Sequence, residues 1–358
     1  SLHHKLTQMK KKVLFSCLFL MSIALFSQEK EKQYTIRTIA FYNLENLHDT
    51  INDETINDEA SPIMELKANK SKVYWQKLNN MASVIARIGE EKANTGPSII
   101  GVSEIENLSV LEDLVKSEHL SKMDYGIIHY DSPDKRGIDV ALLYQKRYFK
   151  PVYHEAFNPN IYRDGYKVYT RDQLLVSGYL DDELIHVILN HWPSRSGGEA
   201  KSRPSREKAA YQNTKIIEQV REKDPNAKIL IMGDFNDDPT NSSFKNVLKT
   251  EGKKEDVSEN DIFNPYEEMH KKGYNTLGYR DNINLFDMIL ISEPLLNKGE
   301  NNFATYKMFK AMIFNKRFLT GRTGQYKGYP FRSFGNGGFT GGYSDHYPVY
   351  VYLIKEKK

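Results

Sequence analysis

Residues 229–236 read ILIMGDFN and form the most recognisable stretch of this 358-residue chain. The apolar run Lys228–Met232 predicts a β-strand. Asp234 and Asn236 follow it directly, and a strand end is a place where a rigid scaffold presents polar side chains. Taken alone, the same residues ahead of Pro239 also suit a turn or a helix cap.

Outward from this stretch, short apolar runs recur along the chain and predict further strands. Each is rich in Ile, Val, Leu or Tyr and is bounded by Gly, Asp, Asn or Pro. The remaining predicted strands are Thr35–Asn43, Ser98–Val102, Tyr125–Tyr130, Asp139–Tyr144, Leu174–Leu180, Ile185–Asn190, Phe286–Ile291 and Tyr347–Leu353.

Two amphipathic runs, Val73–Glu90 and Pro204–Glu222, predict scaffold helices with a period close to 3.6. The acidic stretch Asn52–Asn69 has few apolar residues and predicts an exposed loop. No repeat and no linker rich in Pro or Ser divides the sequence, so we expect one domain over residues 34–355.

Other predicted strands also carry polar residues at their ends. These are Asn43 and Glu45, Glu104, Asn190 and His191, Asp287, and the run Ser344-Asp345-His346. Carboxylate and amide oxygens are the ligands that Mg²⁺ prefers. The sequence lacks HExxH, GxxxxGK[ST] and GxSxG motifs, which disfavours a zinc peptidase, a P-loop enzyme and an α/β-hydrolase.

Six segments in order resemble the motifs of the endonuclease/exonuclease/phosphatase superfamily, in its deoxyribonuclease I-like form. They are Phe41–Asn46, Gly101–Glu104, Leu189–Ser194, Met232–Asn236, Phe286–Leu290 and Ser344–Val349. The resemblance implies a four-layer α/β/β/α sandwich, with two mixed β-sheets flanked by helices and the site at one edge of the sheets.

The resemblance also implies a role for each matching residue. Glu104 is the main metal ligand, helped by Asn43 and Asp345. His346 is the general base or its electrostatic equivalent, and Asp287 orients it. Asp234 orients or deprotonates the attacking water. The implied phosphate contacts are Asn236, His191, which alternatively protonates the leaving group, and Arg171.

These roles suit phosphodiester cleavage, because a cation and hydrogen-bond donors stabilise the charge that spreads over the phosphate oxygens. The implied cofactor is Mg²⁺, with Mn²⁺ or Ca²⁺ as alternatives. Glu45 and Glu106 are interpreted as supporting or surface residues near the same motifs. Each residue alone has an ordinary structural explanation, and their joint occurrence favours a site.

The glycine-rich segment Thr320–Tyr343 interleaves basic and aromatic residues and contains no acid, which suits a polyanion whose bases stack. Ser194–Arg206 is a second basic run where phosphate contacts are expected. Alternatively, the glycines let the first segment wrap the scaffold, with its aromatic side chains packed as a local core.

Residues 1–28 are interpreted as a leader and signal peptide, with lysines 10–12 ahead of the apolar run Val13–Phe26. An uncleaved anchor is the alternative, although the apolar run is short for a membrane span. The full chain has 50 basic and 47 acidic residues, and residues 1–27 contribute four lysines and no acid. The mature chain therefore has a net charge of −1, which gives no general attraction to a polyanion.

We therefore expect a secreted enzyme, periplasmic or extracellular, that hydrolyses DNA or RNA. A monomer without an obligate protein partner or a membrane span in the mature chain is expected. A lipid phosphodiesterase of sphingomyelinase type or a phosphomonoesterase is the alternative within the enzyme class. A catalytically inactive binding protein of the same fold is a third possibility.

Overall fold

The computed structural model describes residues 2, 3, 5, 6, 8, 9, 32–279, 282–299, 302–324 and 326–357. The predicted signal peptide lies almost entirely outside these residues. Residues 36–355 form one compact unit. Residues 1–35 and 356–358 form a second, in which Lys32 Nζ lies 3.1 Å from Glu356 Oε2. No helix in the described part of the chain is both long and apolar enough to cross a bilayer.

The strands alternate with a few helices along the chain. The strands are β1 (Tyr34–Leu47), β2 (Ile99–Ile105), β3 (Tyr125–His129), β4 (Asp139–Gln145), β5 (Phe149–Phe157), β6 (Tyr162–Arg163), β7 (Tyr166–Lys167), β8 (Gln173–Leu180), β9 (Glu183–His191), β10 (Ile229–Asp234), β11 (Ile262–Phe263), β12 (Leu277–Tyr279), β13 (Asn282–Asn284), β14 (Asp287–Ser292), β15 (Lys307–Ile313), β16 (Phe334–Gly335), β17 (Gly338–Phe339) and β18 (Val349–Glu356). The α-helices are α1 (Lys70–Ile85), α2 (Glu90–Ala93), α3 (Leu108–Lys116), α4 (Glu199–Lys223) and α5 (Glu267–Lys271).

Twelve of these strands form two six-stranded sheets. The first has the order β15-β18-β1-β2-β4-β3, and the second has the order β11-β14-β10-β9-β8-β5. Each sheet is mixed, because β1 pairs with β2 and β9 pairs with β10 in parallel while other neighbours run antiparallel. The expected sandwich of two mixed sheets with flanking helices is confirmed.

The two sheets pack face to face at Gly101 on β2. A Cβ atom at this position would lie 2.8 Å from Leu189 on β9 and 2.9 Å from Met232 on β10. Such contacts are closer than van der Waals packing allows, so a larger residue at this position would have to displace the ends of the Leu189 and Met232 side chains.

The nine predicted strands all lie within a few residues of observed ones, but three of the twelve strands in the two large sheets, β5, β11 and β15, were not predicted. All three lie at sheet edges. The strands β5 and β15 carry exposed side chains and β11 has two residues, so none shows a long continuous apolar run. The first predicted helix was too long, because α1 ends at Ile85 and Gly89 then takes a left-handed φ of 75°. The predicted loop Asn52–Asn69 is largely exposed, but Asp58 and Ile63 within it are buried.

Candidate active site

Three strands of the second sheet bring polar side chains to one edge. Asp234 ends β10 and pairs in register with His191 at the end of β9. The same residue pairs with Asp287 at the start of the antiparallel β14. The carboxyl ends of parallel strands and the start of an antiparallel neighbour meet at one edge, so this register places the three residues side by side.

His346 and Asp287 form a buried pair. Nδ1 of His346 lies 2.7 Å from Asp287 Oδ2, which leaves Nε2 turned to Asp234 Oδ2 at 3.9 Å. Burial lowers the pKa of His346, but the carboxylates of Asp287 and Asp234 outweigh burial and raise that pKa well above its usual value. The carboxylate fixes the ring and stabilises its protonated form.

Glu104 is held in an unusual backbone conformation on the first sheet. Its φ is 57°, at an irregularity in the pairing of β2 with β4 between Ser103 and Ile105. Glu104 Oε2 accepts the N–H of Asn46 at 3.0 Å, and Oε1 lies 3.8 Å from His191 Nε2. Left-handed backbone costs free energy in a non-glycine residue and is concentrated at functional sites.

The carboxylate of Asp234 accepts hydrogen bonds from two neighbouring residues. Asn43 Nδ2 donates to its Oδ2 at 3.0 Å, and the N–H of Asn236 donates to its Oδ1 at 3.0 Å. Burial raises the pKa of Asp234 to about 7, assisted by the charges of Asp287 and Glu104. The charge of His346 opposes this shift without cancelling it.

The two amides beside Asp234 are both engaged within the protein. Asn43 Oδ1 accepts the N–H of Glu45 at 2.9 Å, so its oxygen is already used once. Asn236 has a left-handed φ of 52°, and its Nδ2 donates to the carbonyl of Trp192 at 3.0 Å. Both amides are thus fixed in orientation before any substrate arrives.

His191 lies between the two sheets as a neutral ring. Its Nε2 is 3.6 Å from Asp234 Oδ2. Burial holds the pKa of His191 well below its usual value, and the positive charges of Arg171 and Arg136 add to that effect. Among the described residues, no hydrogen-bond partner is found for its buried Nδ1.

A network that sequence reasoning did not foresee surrounds Asp345. Arg332 Nη2 lies 3.2 Å from Asp345 Oδ2, and its Nε lies 3.3 Å from Glu45 Oε1. The buried ammonium of Lys77 donates to the carbonyl of Glu45. Burial raises the pKa of Glu45 to about 7 and lowers that of Lys77 to about 8.

Neither Glu45 nor Glu106 lies at the surface, so the interpretation of these two residues as surface residues was wrong. Both are buried, and Glu106 Oε2 accepts the N–H of Asp49 at 2.7 Å. Glu45 thus supports Arg332, whereas Glu106 holds the chain that leaves β1. Of the two cations in this network, Arg332 carried a sequence signal as part of the glycine-rich segment, whereas Lys77 did not.

Arg171, an expected phosphate contact, lies behind His191. Its Nε donates to the carbonyl of His191 at 3.1 Å, and Nη2 donates to the carbonyl of Trp192. Nη1 donates to Asp134 Oδ2 at 2.9 Å, and the side chain is 5% exposed. The geometry therefore shows Arg171 supporting the backbone of His191.

The Arg171→Leu substitution is expected to lower the free energy of unfolding by about 3 kcal/mol, because Asp134 loses its buried ionic partner. Urea unfolding followed by circular dichroism measures this change. Arg203→Leu is the matched control, since its exposed pair with Glu199 contributes less than about 1 kcal/mol. Equal losses in the two variants would contradict the supporting role.

Two arginines of the basic run Ser194–Arg206 bind other residues of the protein. Arg195 Nε donates to the carbonyl of Asn236 at 3.0 Å, and its Nη2 lies 3.1 Å from Asp238 Oδ2. Arg206 is fully buried, with Nε 2.6 Å from Asp237 Oδ1. These arginines stabilise residues 236–238, which follow β10.

The residues of the site fit a divalent cation. Glu104, His191 and Asp234 each offer a ligand atom within 4.8 Å of the others, and Asp234, Asp287 and His346 form a second such group. Carboxylate oxygen is the donor that Mg²⁺ and Mn²⁺ prefer. A cation would also stabilise the ionised form of Asp234, whose pKa is raised by burial first and then by the charges of Asp287 and Glu104. Asp345 is in neither group and lies 4.0 Å from His346 Nε2.

The fold and the sequence are similar to those of known proteins. The sequence model of the Endonuclease/Exonuclease/phosphatase family matches residues 38–355. A solved protein of that family from Bacteroides thetaiotaomicron is 18% identical, with a TM-score of 0.53 over 91% of this chain and 100% of that one. No curated protein matches the sequence.

Two solved structures with stated activities or ligands share the fold. TDP2 from D. rerio, complexed with a single-strand DNA product, is 12% identical, with a TM-score of 0.51 over 89% of this chain and 99% of that one. A mannosyl-6-phosphatase from Bacteroides thetaiotaomicron is 18% identical, with a TM-score of 0.51 over 88% and 99%. At such identities the likeness shows the fold alone, whereas the family match spans most of the sequence: the chain belongs to the Endonuclease/Exonuclease/phosphatase family.

Proposed function

We propose that this protein is a divalent-metal-dependent phosphodiesterase that hydrolyses nucleic acid. The family consists of phosphoric ester hydrolases. The observation that carries the proposal is the His346–Asp287 pair, 2.7 Å between Nδ1 and Oδ2, next to the carboxylates of Asp234 and Glu104. An imidazole held by one carboxylate and surrounded by others suits proton transfer beside a cation.

The cation would be held by Glu104, which lies within one of the two groups of ligand atoms, and the family resemblance implies that Asn43 and Asp345 contribute further oxygen atoms. Bound Mg²⁺ would supply electrostatic stabilisation of the phosphate charge. Mn²⁺ and Ca²⁺ suit the same oxygen donors. Arg332 keeps Asp345 in place, since its guanidinium spans Asp345 and Glu45.

Around the substrate, each remaining residue has a distinct task. Asp234 orients the attacking water and receives its proton, which its raised pKa favours. His346, oriented by Asp287, stabilises the charge that develops. Asn236 and neutral His191 donate hydrogen bonds to phosphate oxygens. The water oxygen bonds to phosphorus, the bond to the leaving oxygen breaks, and that oxygen takes up a proton from solvent.

Nucleic acid is the substrate that the surroundings favour. The segment Thr320–Tyr343 carries Arg322 and Lys327 among aromatic side chains, and such surfaces bind single strands by stacking and charge. TDP2, which shares the fold, is seen with a DNA product. The mannosyl-6-phosphatase of similar fold makes a sugar phosphomonoester the competing substrate.

A substrate panel tests the proposal. Purified protein with Mg²⁺ is offered plasmid DNA, RNA, sphingomyelin, mannose 6-phosphate and p-nitrophenyl phosphate, with His346→Ala as the inactive control. Cleavage of plasmid or RNA that both EDTA and the substitution abolish is the expected result. Turnover of lipid or sugar phosphate alone would replace the proposal, and no turnover would favour a binding protein.

We propose Arg136, which the sequence analysis did not identify, as a further phosphate contact. Its side chain is 49% exposed, and its Nε lies 3.6 Å from Asp134 Oδ1, while Asp134 Oδ2 is already bonded to Arg171. Its charge acts on His191, whose pKa it lowers. Because this guanidinium is half-exposed, some of its N–H groups can donate hydrogen bonds to a phosphate of the substrate.

The Arg136→Ala substitution is expected to raise KM for DNA about tenfold or more, because a hydrogen bond to a charged group contributes about 1.5–3 kcal/mol. Steady-state kinetics at fixed Mg²⁺ measure the change. Lys135→Ala removes the neighbouring cation and is the matched control. An equal rise of KM in both variants would indicate general attraction and would exclude a specific contact.

We also propose that the protein is exported and works as a monomer without an obligate protein partner. The predicted signal peptide supports export. Cell fractionation with N-terminal sequencing of the mature protein tests the first point, and light scattering tests the second. An unprocessed chain retained in the cytoplasm would refute export.

A further inference from the structure

Beside the site, the glycine-rich segment encloses a cavity of about 680 Å³. Aromatic side chains dominate its larger lining residues, and its described lining residues include no carboxylate. The residues that matter here are Phe318, Tyr326, Phe331, Tyr343, Arg322 and Arg332. A cavity of this size accommodates a group as large as a nucleotide.

The aromatic wall of the cavity is braced by its own packing. The rings of Phe331 and Tyr343 have centroids 6.3 Å apart at 73°, and those of Phe318 and Tyr343 are 5.4 Å apart at 70°. Edge-to-face contacts of this kind hold rings in place. Tyr326 remains 41% exposed, so its ring is accessible to a ligand.

Arg332 joins this cavity to the active site. It lines the cavity, and its Nη2 lies 3.2 Å from Asp345 Oδ2. Asp345 is next in sequence to His346 and lies 4.0 Å from that ring. A group attached to a phosphate at the site therefore lies within reach of the cavity.

We propose, resting on the function proposed above, that the cavity binds the base of the nucleotide next to the scissile phosphate. Aromatic side chains stack on any base, which gives binding without strong sequence preference. The positive charges of Arg322 and Arg332 suit an anionic ligand and repel a cation. A sugar without a base offers no flat ring to stack.

Calorimetry compares thymidine 5′-monophosphate with 2-deoxyribose 5-phosphate, which lacks the base, for the wild type and for Tyr326→Ala and Phe331→Ala. The wild type is expected to bind the nucleotide at least about fivefold more tightly, and each substitution removes that preference. Tyr166→Ala, an exposed aromatic residue outside the cavity, is the control and keeps the preference. Circular dichroism verifies folding of each variant.

Kinetics with thymidylyl-thymidine and its abasic analogue distinguish the two proposals. If the base matters, Tyr326→Ala raises KM for the first substrate about fivefold or more and leaves KM for the second unchanged. Cleavage of both with equal KM in every variant overturns the base site while the phosphodiesterase stands. Equal binding of the two monophosphates by the wild type overturns the base site, whether or not the protein cleaves a substrate. Failure to cleave any phosphodiester refutes the proposed phosphodiesterase activity and leaves the base site to be decided by calorimetry.

Discussion

The Glu104→Gln substitution is expected to lower kcat at least about 10³-fold. Glutamine keeps the shape of the side chain and an oxygen for the N–H of Asn46, but it removes the charge that attracts the cation. Loss of a metal ligand removes the stabilisation of phosphate charge, whereas loss of one acid or base removes a single proton transfer. The effect should therefore equal or exceed that of any other substitution at the site.

Thermal unfolding with and without Mg²⁺ gives a readout independent of turnover. Mg²⁺ is expected to raise the Tm of the wild type and to leave that of Glu104→Gln nearly unchanged, since only the native site binds the ion. Glu112→Gln on the exposed face of α3 is the control and responds like the wild type. A full response to Mg²⁺ in Glu104→Gln would exclude Glu104 as a ligand.

The His346→Ala substitution is expected to reduce kcat/KM about 10²–10⁴-fold, the usual contribution of one positioned acid or base. Asp287→Asn should reproduce much of this loss while leaving the ring present. An asparagine amide cannot stabilise the imidazolium, and one of its two orientations presents an N–H to His346 Nδ1 and forces the other tautomer.

Plasmid cleavage at saturating Mg²⁺ measures both variants, and His119→Ala, which removes an exposed histidine, is the control. The double variant should be little worse than His346→Ala, because Asp287 acts through the ring. Multiplicative losses would show that Asp287 has a separate task. If His346→Ala kept more than a tenth of the wild-type activity, a catalytic role of the imidazole would be excluded.

Buried strands and the residues at their ends were predictable from the sequence, because a strand covered on both faces is apolar throughout. The run 229–236 shows this, since its apolar part became β10 and Asp234 lies at its end. The edge strands β5 and β15 show the limit, because exposed residues carry no such pattern. Strand register brings Asp287 beside Asp234, and no local pattern reveals that register.

Buried charge was the least predictable feature. Lys77 lies on a helix whose pattern indicates scaffold, yet its ammonium reaches the backbone of Glu45. Arg171 belongs to a short motif that resembles a phosphate contact, yet its partner is Asp134 from a distant part of the chain. Such pairs depend on three-dimensional proximity, which residue type and spacing do not specify.

The left-handed backbone of Glu45, Glu104 and Asn236 has a consequence for laboratory evolution. Glycine relieves the conformational cost at such positions, and asparagine tolerates it better than glutamate does. A library screened for heat resistance alone should therefore accumulate replacements at Glu104. The selected variants would have a higher Tm but would no longer turn over substrate. Screening must couple heat challenge to catalysis in every round.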